Sequence, residues 1–307
     1  MIYILTAKGI KMVYSTNEWS PLQQVILGSP DKMNWPFSDD IFPGAPMGPI
    51  DSQIINESKT AMDNFQKILT GFGVEVLRPL EQDYVKLDGF GAYSTRDTIL
   101  IVGKKVIFCP TLFEERRIEW PALKPLFADD SEFIYAPLDM GIMFDAANVM
   151  RCNNDLIYLV SGSGNEKGAS WLQETLGSEY KVHVVRNLYS GHHIDSTIIP
   201  LREGLVMLNA GRANESHIPE FMKSWDKIWI NDEDIVDTIS PLDMATKWIH
   251  MNLFSIDETT IVINSNQNAI RRKLDKHNII SVGVDLPHTK YLLGGHHCTT
   301  LDTIRKS

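Results

Sequence analysis

The chain carries a recurring pattern of two short apolar runs joined by a polar turn. Each occurrence predicts a β-hairpin, because strand-length apolar runs on either side of a tight polar turn favour that motif. The pattern occurs in TILIVGKKVIFC, NVMRCNNDLIYLV, TIIPLREGLVMLN and NLFSIDETTIVIN, with turns at Gly103-Lys104, Asn153-Asn154, Glu203-Gly204 and Asp257-Glu258. The turns lie about 50 residues apart, a period at which a repeat architecture is expected.

A helix and then a single strand are predicted after each hairpin. After the last three hairpins, the helices are NEKGASWLQETLG, IPEFMKSW and NQNAIRRKLDKHN, and the strands are YKVHVVR, DKIWIN and IISVGVD. After the first hairpin, EERRIEWPALKPLF is a weaker helix and EFIYAP is the strand. Residues 52–71 carry apolar positions at helical spacing, and GVEVLRP follows them as a strand.

Modules of this size cannot each bury a sheet face alone, but a ring of them can. QQVILG near the N-terminus and HCTTLDTIR at the C-terminus could pair as a fifth hairpin, which would close the ring by joining the two ends. The alternative is an ordinary mixed α/β domain in which the spacing is coincidental. We favour an α/β ring of five modules that forms one domain over residues 1–307.

Composition narrows the class of protein. The 307 residues are 43% hydrophobic and 22% charged, which is globular, and the formal net charge of -10 argues against a nucleic-acid or anionic-membrane partner. Three widely spaced cysteines, Cys109, Cys152 and Cys298, do not form a secreted disulfide framework. MIYILTAKGIK is too short for a signal-peptide core, and no apolar stretch could span a bilayer. We expect a cytoplasmic protein.

Polar residues stand at one phase of the repeat, just before each hairpin. They are Asp97 in STRDTI, Asp145 in MFDAANV, His193 and Asp195 in GHHIDSTI, Thr246 in MATKWIHMN, and Cys298 in GGHHCTTLD. In a ring of pseudo-equivalent modules, equivalent positions converge near the axis. The pattern therefore predicts carboxylates, an imidazole, a hydroxyl and a thiol around one pocket.

These residue types suit chemistry on a guanidinium group. A guanidinium needs carboxylates around its edge, and its central carbon is a poor electrophile that requires a strong nucleophile such as a thiolate. The departing amine needs a proton from an acid that titrates near neutrality. We therefore expect Cys298 to attack, His193 to protonate the leaving amine, and Asp145 and Asp195 to hold the guanidinium. A second amine, deprotonated by His193, would collect the amidino group from the cysteine.

Each residue also has a plainer interpretation. Cys109 and Cys152 sit in strand-like runs and are expected to be buried small hydrophobes. Asp145 could only cap the alanine-rich turn after it, Arg212 in NAGRAN could be solvated, and Cys298 could be buried and inert.

A metal site is the rival interpretation. His192-His193 and His296-His297-Cys298 hold ligand types that bind zinc, but neighbours on a strand point to opposite faces, so each pair offers at most one ligand. HExxH and paired CxxC spacings do not occur. We expect neither a metal nor a cofactor.

Six blocks of the chain resemble the glycine amidinotransferase family, within the guanidino-modifying (pentein) superfamily. The blocks are YSTNEWSPLQQVILG, TRDTILIVGKKVIFCPT, FDAANVMRCNNDLIYLVSGSGNEKGASWL, HIDSTIIPL, TKWIHMNLF and GGHHCTTLD, from about Tyr14 to Arg305. The resemblance implies the five-module α/β propeller with pseudo-fivefold symmetry, an L-arginine donor, release of ornithine and a possible homodimer.

The resemblance also implies a role for each matching residue. Asp145, His193 and Cys298 would be the catalytic triad. Asp97 and Asp195 would bind the guanidinium of the donor. Arg212 would pair with its α-carboxylate, and Thr246 would assist from a position where the family often has Ser.

Three departures from the glycine-using members concern the acceptor amine. His192 stands where those members tend to have Met, and Thr299 and His296 replace aromatic residues of the nucleophile block. Thr299 is expected to open space beside Cys298, and His192 to add a polar group at the pocket mouth. We therefore expect a primary amine larger than glycine, and a closer similarity to amidinotransferases of bacterial secondary metabolism.

Two other functions stay open on these residues. Hydrolases of the same superfamily release the covalent intermediate to water, and a pentein-fold protein could bind a ligand without catalysis. The amidinotransferase blocks match better than those of the hydrolases.

Overall fold

Three-stranded sheets of a single topology account for most of the β-structure in this computed structural model, which describes residues 12–38, 40, 42, 44–45, 47–189 and 191–306. Each sheet pairs two antiparallel strands and adds a third strand parallel to the second. In that order, the strands are Thr300–Arg305, Leu22–Leu27 and Glu75–Leu77 (sheet 1); Ile99–Val102, Lys105–Phe108 and Glu132–Tyr135 (sheet 2); Val149–Cys152, Asp155–Leu159 and Lys181–Val185 (sheet 3); Ile198–Arg202, Leu205–Asn209 and Asp226–Ile230 (sheet 4); Phe254–Asp257, Thr260–Ile263 and Ile280–Gly283 (sheet 5). Asn34–Trp35 and Gly48–Pro49 form a small separate ladder.

The four predicted hairpins are confirmed as the antiparallel pairs of sheets 2 to 5. Their turns use residues that tolerate a left-handed backbone: φ is 58° at Gly103, 63° at Asn153 and 81° at Gly204. The fifth pair is confirmed as well, because Leu22–Leu27 near the N-terminus pairs with Thr300–Arg305 at the C-terminus. The segment MIYILTAKGIK lies outside the described residues.

The hydrophobic core consists of clusters that each join two sheets. One cluster joins sheets 1 and 2, for example Ile26 with Ile101, and others join sheets 2 and 3, 3 and 4, and 4 and 5. A further cluster joins sheet 5 to sheet 1, through Phe254 and Val25. Each sheet therefore buries its apolar side chains against its neighbours, as expected for modules too small to fold alone.

Helices lie between the second and third strands of most sheets. The α-helices are Ser52–Gly71, Tyr84–Leu87, Glu114–Arg117, Trp120–Leu123, Glu166–Leu176 and Asn268–Asp275. Ser52–Gly71 buries Ile54, Met62, Phe65 and Leu69 along one face, and its first turn is capped by Asp51, whose side chain accepts from the Gln53 N–H. Across the described residues, none of the helices combines the length and apolar character that crossing a bilayer requires.

Two predicted helices are wrong in part. In IPEFMKSW the chain forms only the 3₁₀ turn Glu220–Met222, because the strand that starts at Asp226 leaves too few residues for a longer helix. EERRIEWPALKPLF breaks into Glu114–Arg117, Trp120–Leu123 and the 3₁₀ turn Lys124–Leu126. Pro121 and Pro125 lack the N–H that a continuous helix needs.

The remaining 3₁₀ segments are Ala146–Asn148, Gly177–Glu179, Glu215–His217, Asp232–Asp234 and Lys247–Met251. Ala146–Asn148 and Lys247–Met251 lie in the loops that lead into the first strands of sheets 3 and 5. The predicted polar residues all lie in the loops that lead into a first strand, one loop for each of the five sheets.

Candidate active site

Those five loops surround one cavity of about 280 Å³. All seven residues singled out from the sequence line it: Asp97, Asp145, His193, Asp195, Arg212, Thr246 and Cys298. The expected convergence of the repeat on one pocket is therefore observed.

His193 and Asp145 form a hydrogen-bonded pair. Nε2 of His193 lies 2.9 Å from Oδ2 of Asp145, and the other oxygen, Oδ1, accepts from the Leu112 N–H at 3.3 Å. Asp145 is also the N-cap residue of the 3₁₀ turn Ala146–Asn148, where its N–H donates to Oδ1 of Asn148 at 3.2 Å. Its carboxylate therefore orients the imidazole, as a catalytic histidine requires.

The surrounding carboxylates keep His193 protonated at neutral pH. Burial opposes the charged imidazolium, but Asp97, Asp145 and Asp195 outweigh it and raise the pKa of His193 to about 9. Nδ1 of His193 lies 3.7 Å from Oδ1 of Asp97. The imidazole can therefore supply a proton to a leaving group in the cavity.

Cys298 is buried at the end of the loop that leads into Thr300–Arg305. Its backbone N–H donates to Oδ1 of Asn252 at 3.0 Å, and Gly295 packs so closely on Asn252 that a Cβ would lie 2.7 Å from that side chain. Burial raises the pKa of the Cys298 thiol well above its usual range, and Asp195 and Asp97 add to the shift. The thiol is therefore neutral at pH 7.

Asp97 offers an unsatisfied carboxylate oxygen to the cavity. Oδ2 accepts from Nη1 of Arg116 at 3.0 Å, whereas buried Oδ1 has no hydrogen-bond partner. Burial raises the pKa of Asp97, and the charges of Asp145 and Asp195 raise it further. A cation placed beside Oδ1 would satisfy both the oxygen and the local excess of negative charge.

Arg212 is held at the cavity wall by hydroxyl groups. Nη1 lies 3.1 Å from Ser196 Oγ and 3.3 Å from Thr197 Oγ1, and Nη2 donates to Thr246 Oγ1 at 3.0 Å. The guanidinium also stacks 4.2 Å above the ring of Tyr189. These partners are neutral, so the positive charge of Arg212 is available to an anionic group of a ligand.

The structure corrects two expectations about neighbouring residues. His192 and His193 both line the cavity, because they lie in a bend rather than in a strand, and the alternation argument does not hold for them. Thr299 is fully buried, bonds to the His296 carbonyl at 3.2 Å and is absent from the described residues that line the cavity. It therefore does not open space beside the thiol.

Three residues at the site were missed by the sequence analysis. Arg116 binds Asp97, and it also binds Glu119, whose pKa burial raises to about 8. His297 bridges two buried carboxylates, with Nδ1 2.9 Å from Asp195 Oδ2 and Nε2 3.3 Å from Glu18 Oε2. His297 was visible beside Cys298 in the sequence, whereas no local signal identifies Glu18 or Arg116.

Cys109 and Cys152 are buried in the core, as expected. Among the described residues, Asp97, His193 and Cys298 place ligand atoms within 4.8 Å of one another, close enough for one metal ion. These are the same three groups that the thiol chemistry uses.

Comparison with known proteins agrees with the geometry. No protein-family model matches the chain. Inosamine-phosphate amidinotransferase 1 of Streptomyces glaucescens is 34% identical over 96% of this chain and 97% of its own length. The L-arginine:L-lysine amidinotransferase of Pseudomonas savastanoi pv. phaseolicola is 27% identical over 96% of this chain and 94% of its length.

Solved structures give the same family. Inosamine-phosphate amidinotransferase from Streptomyces griseus superposes with a TM-score of 0.87 at 34% identity, over 96% of this chain and 97% of that chain. An amidinotransferase of the saxitoxin biosynthetic pathway from Microseira wollei superposes with a TM-score of 0.88 at 26% identity, over 97% and 98%. Dimethylarginine dimethylaminohydrolase of Pseudomonas aeruginosa, 14% identical with a TM-score of 0.67 over 92% and 99%, shares only the fold.

The predicted resemblance is thus confirmed, including the similarity to relatives from bacterial secondary metabolism. With 34% identity over nearly the full length of both chains, this protein belongs to the amidinotransferase family of the pentein superfamily and is an amidinotransferase.

Proposed function

We propose that this enzyme transfers the amidino group of L-arginine to a primary amine through a covalent amidino-cysteine at Cys298, with release of ornithine. The observation that carries the proposal is one cavity that holds a thiol, a carboxylate-bound imidazole and an unsatisfied carboxylate oxygen. A relative named as an L-arginine:L-lysine amidinotransferase supports the choice of donor.

The donor is bound at both of its ends. Its guanidinium lies between Asp97 and Asp195 and donates to Oδ1 of Asp97, which has no hydrogen-bond partner among the described residues. Its α-carboxylate pairs with Arg212, assisted by the Thr246 hydroxyl.

Binding of the donor also activates the nucleophile. Burial and two carboxylates hold the Cys298 thiol neutral, so a guanidinium that neutralises Asp97 and Asp195 lowers the pKa of the thiol. The thiolate then forms only when its electrophile is in place. This order protects the cysteine from reaction with other electrophiles.

In the first step, Sγ of Cys298 bonds to the central guanidinium carbon and the bond from that carbon to the side-chain Nε breaks. His193 gives its proton to the departing nitrogen, which leaves as the amino group of ornithine. The proton lost by the thiol restores His193. The enzyme then carries a cationic amidino group on sulfur.

In the second step, the neutral acceptor amine attacks the amidino carbon. The carbon–sulfur bond breaks, and the proton that the new nitrogen loses passes through His193 to the thiolate. The product is a guanidinium compound, and the free enzyme is regenerated. The acceptor is a primary amine larger than glycine, and the relatives named for inosamine phosphate and saxitoxin support a guanidino-containing natural product.

The architecture that we propose is a closed, pseudo-fivefold ring in one domain over residues 1–307. The core clusters that link consecutive sheets, including sheet 5 to sheet 1, support a closed ring.

We further propose a cytoplasmic homodimer, in keeping with three free cysteines and the family resemblance. Light scattering of the purified protein measures the oligomeric state.

Intact-protein mass spectrometry tests the covalent step. After acid quench with arginine and no acceptor, wild type should carry an amidino adduct, and the Cys298→Ala variant should carry none and be inactive. Cys109→Ala and Cys152→Ala are matched controls that should keep the adduct and the activity. Turnover by Cys298→Ala would overturn the mechanism. Steady ornithine release without any amine would indicate a hydrolase instead.

A further inference from the structure

Four phenylalanine rings form a continuous aromatic wall on one side of the cavity. The wall consists of Phe37, Phe42, Phe90 and Phe113, all of which line the cavity. The ring centre of Phe37 lies 4.8 Å from that of Phe113, 5.2 Å from that of Phe42 and 5.4 Å from that of Phe90. The planes of these ring pairs are inclined by 50°, 51° and 40°, so the rings make tilted contacts and together present an apolar aromatic surface.

The arginine donor does not use this wall. The donor's charged ends are met by Asp97, Asp195 and Arg212, and the partners of Arg212 in the described structure are hydroxyls and the Tyr189 ring. Both ends of the donor are therefore accounted for by polar groups. An apolar surface beside them serves the second substrate.

The wall reaches the acid–base group through one intervening ring. The imidazole of His192 lies 6.2 Å, centre to centre, from Phe113 and 6.2 Å from His193. Leu112, the residue before Phe113, donates its N–H to Asp145, the partner of His193. A molecule whose amino group is beside His193 can therefore rest its carbon skeleton on the wall.

The charges around the cavity disfavour a phosphorylated acceptor. Among the described lining residues, the basic side chains are Arg116, His192, His193 and Arg212. Arg116 is bound by Asp97 and Glu119 and lies over the ring of Phe90 at 5.2 Å.

Neither of the two histidines is available to bind a phosphate. Burial lowers the pKa of His192, which keeps it neutral at pH 7, and His193 has the proton-transfer role. Arg212 alone is then available to an anion, in a cavity lined by three carboxylates, whereas a phosphate carries close to two negative charges.

We propose that the acceptor is a primary amine with an apolar, unphosphorylated skeleton that packs on the aromatic wall. The proposal rests on the amidino transfer proposed above and names the substrate class of the second step. It separates this enzyme from relatives whose names specify a phosphorylated aminocyclitol.

The proposal can be tested with four defined amines and arginine as donor: 2-phenylethylamine, lysine, glycine and phosphoethanolamine. We expect kcat/KM for 2-phenylethylamine to exceed that for each of the other three at least tenfold. Preference for phosphoethanolamine, glycine or lysine would overturn the proposal.

A phenylalanine variant tests whether the aromatic wall causes the preference for 2-phenylethylamine. Phe113→Leu should lower kcat/KM for 2-phenylethylamine about tenfold and should slow exchange of labelled ornithine into arginine much less. Phe221→Leu, at a half-buried phenylalanine outside the cavity, is the matched control and should change neither rate. Equal losses in transfer and exchange would contradict the assignment of Phe113. Absence of exchange in wild type would instead refute the proposed function, because exchange needs no acceptor.

Discussion

Oδ2 of Asp195 lies 3.4 Å from Sγ of Cys298, so the carboxylate is in direct contact with the proposed nucleophile. The same oxygen is 2.9 Å from Nδ1 of His297, whose Nε2 is 3.3 Å from Glu18. Because its two ring nitrogens face the carboxylate oxygens of Asp195 and Glu18, His297 links Asp195 to a buried cluster of charges. His297 is therefore a positioning residue for Asp195.

Replacement of His297 by Gln should weaken donor binding at low pH. Burial raises the pKa of Asp195, but His297 outweighs it and lowers the pKa below its usual range. Without the His297 ring, the pKa of Asp195 rises, and the carboxylate that we propose to bind the guanidinium is lost at a higher pH. The acid limb of kcat/KM for arginine should move upward by about one pH unit. His183→Gln, which removes a histidine–aspartate pair far from the cavity residues, is the control, and an unmoved limb in His297→Gln would contradict the role.

The variant Asp145→Asn should shift the alkaline limb of the pH–rate profile to lower pH. His193 acts as an acid only below its pKa of about 9, and Asp145 is one of the groups that raise that value. Loss of the carboxylate lowers the pKa, so the alkaline limb of the ornithine–arginine exchange should move to lower pH, and kcat should fall about 100-fold. Asp155→Asn, which alters the carboxylate paired with His183, is the matched control. If the limb stays near pH 9, another group is the acid.

Arg212→Ala should impair donor binding more than chemistry. Arg212 is the lining guanidinium whose protein partners are neutral, and an ion pair with the donor carboxylate is charge-assisted. The KM for arginine should rise about 10- to 100-fold, with a smaller change in kcat. Agmatine lacks the carboxylate and should be a poor donor for wild type. Equal use of agmatine and arginine by wild type would show that Arg212 has another role.

Activity should not depend on a bound metal. Asp97, His193 and Cys298 are close enough to bind one ion, but each is needed free for guanidinium binding, proton transfer or attack. Dialysis against a chelator should leave the rate unchanged, and added zinc should inhibit. Loss of activity with a chelator, followed by recovery specifically with zinc, would reverse this expectation.

Arg151 should be needed for folding rather than for catalysis. It is fully buried and donates to Glu18 at 2.8 and 2.7 Å and to Asp302 at 2.8 Å. Arg151→Met removes the cation that joins two buried carboxylates, which then keep only Arg96, His297 and Arg305 as charged or ring partners among the described residues. The change should cost about 3–5 kcal/mol of unfolding free energy, measured by urea denaturation. Arg186→Met, which breaks the exposed pair with Glu166, should cost less than about 1 kcal/mol. Similar losses in both variants would argue against this network as a source of stability.

The sequence by itself determined the strands and the positions of the site residues. Apolar runs around tight turns depend on local periodicity, so the hairpins and the pairing of the two chain ends were correctly predicted. The common phase of Asp97, Asp145, His193, Thr246 and Cys298 placed them in one cavity, because equivalent loops of a repeat lie at equivalent places. Helices were less certain where proline or a short connection competed with the apolar spacing.

Only the tertiary structure decided which side chains face the cavity and what they contact. Thr299 is buried away from it and His192 lines it, since turns rather than strand alternation set their directions. Glu18, Arg116 and His297 come together from distant parts of the chain, and so do the four rings of the aromatic wall. Contacts of this kind depend on long-range packing, which leaves no periodic signal in the sequence. Cys298, the proposed nucleophile, could therefore be singled out from the sequence, whereas the charged groups around it and the aromatic wall could not.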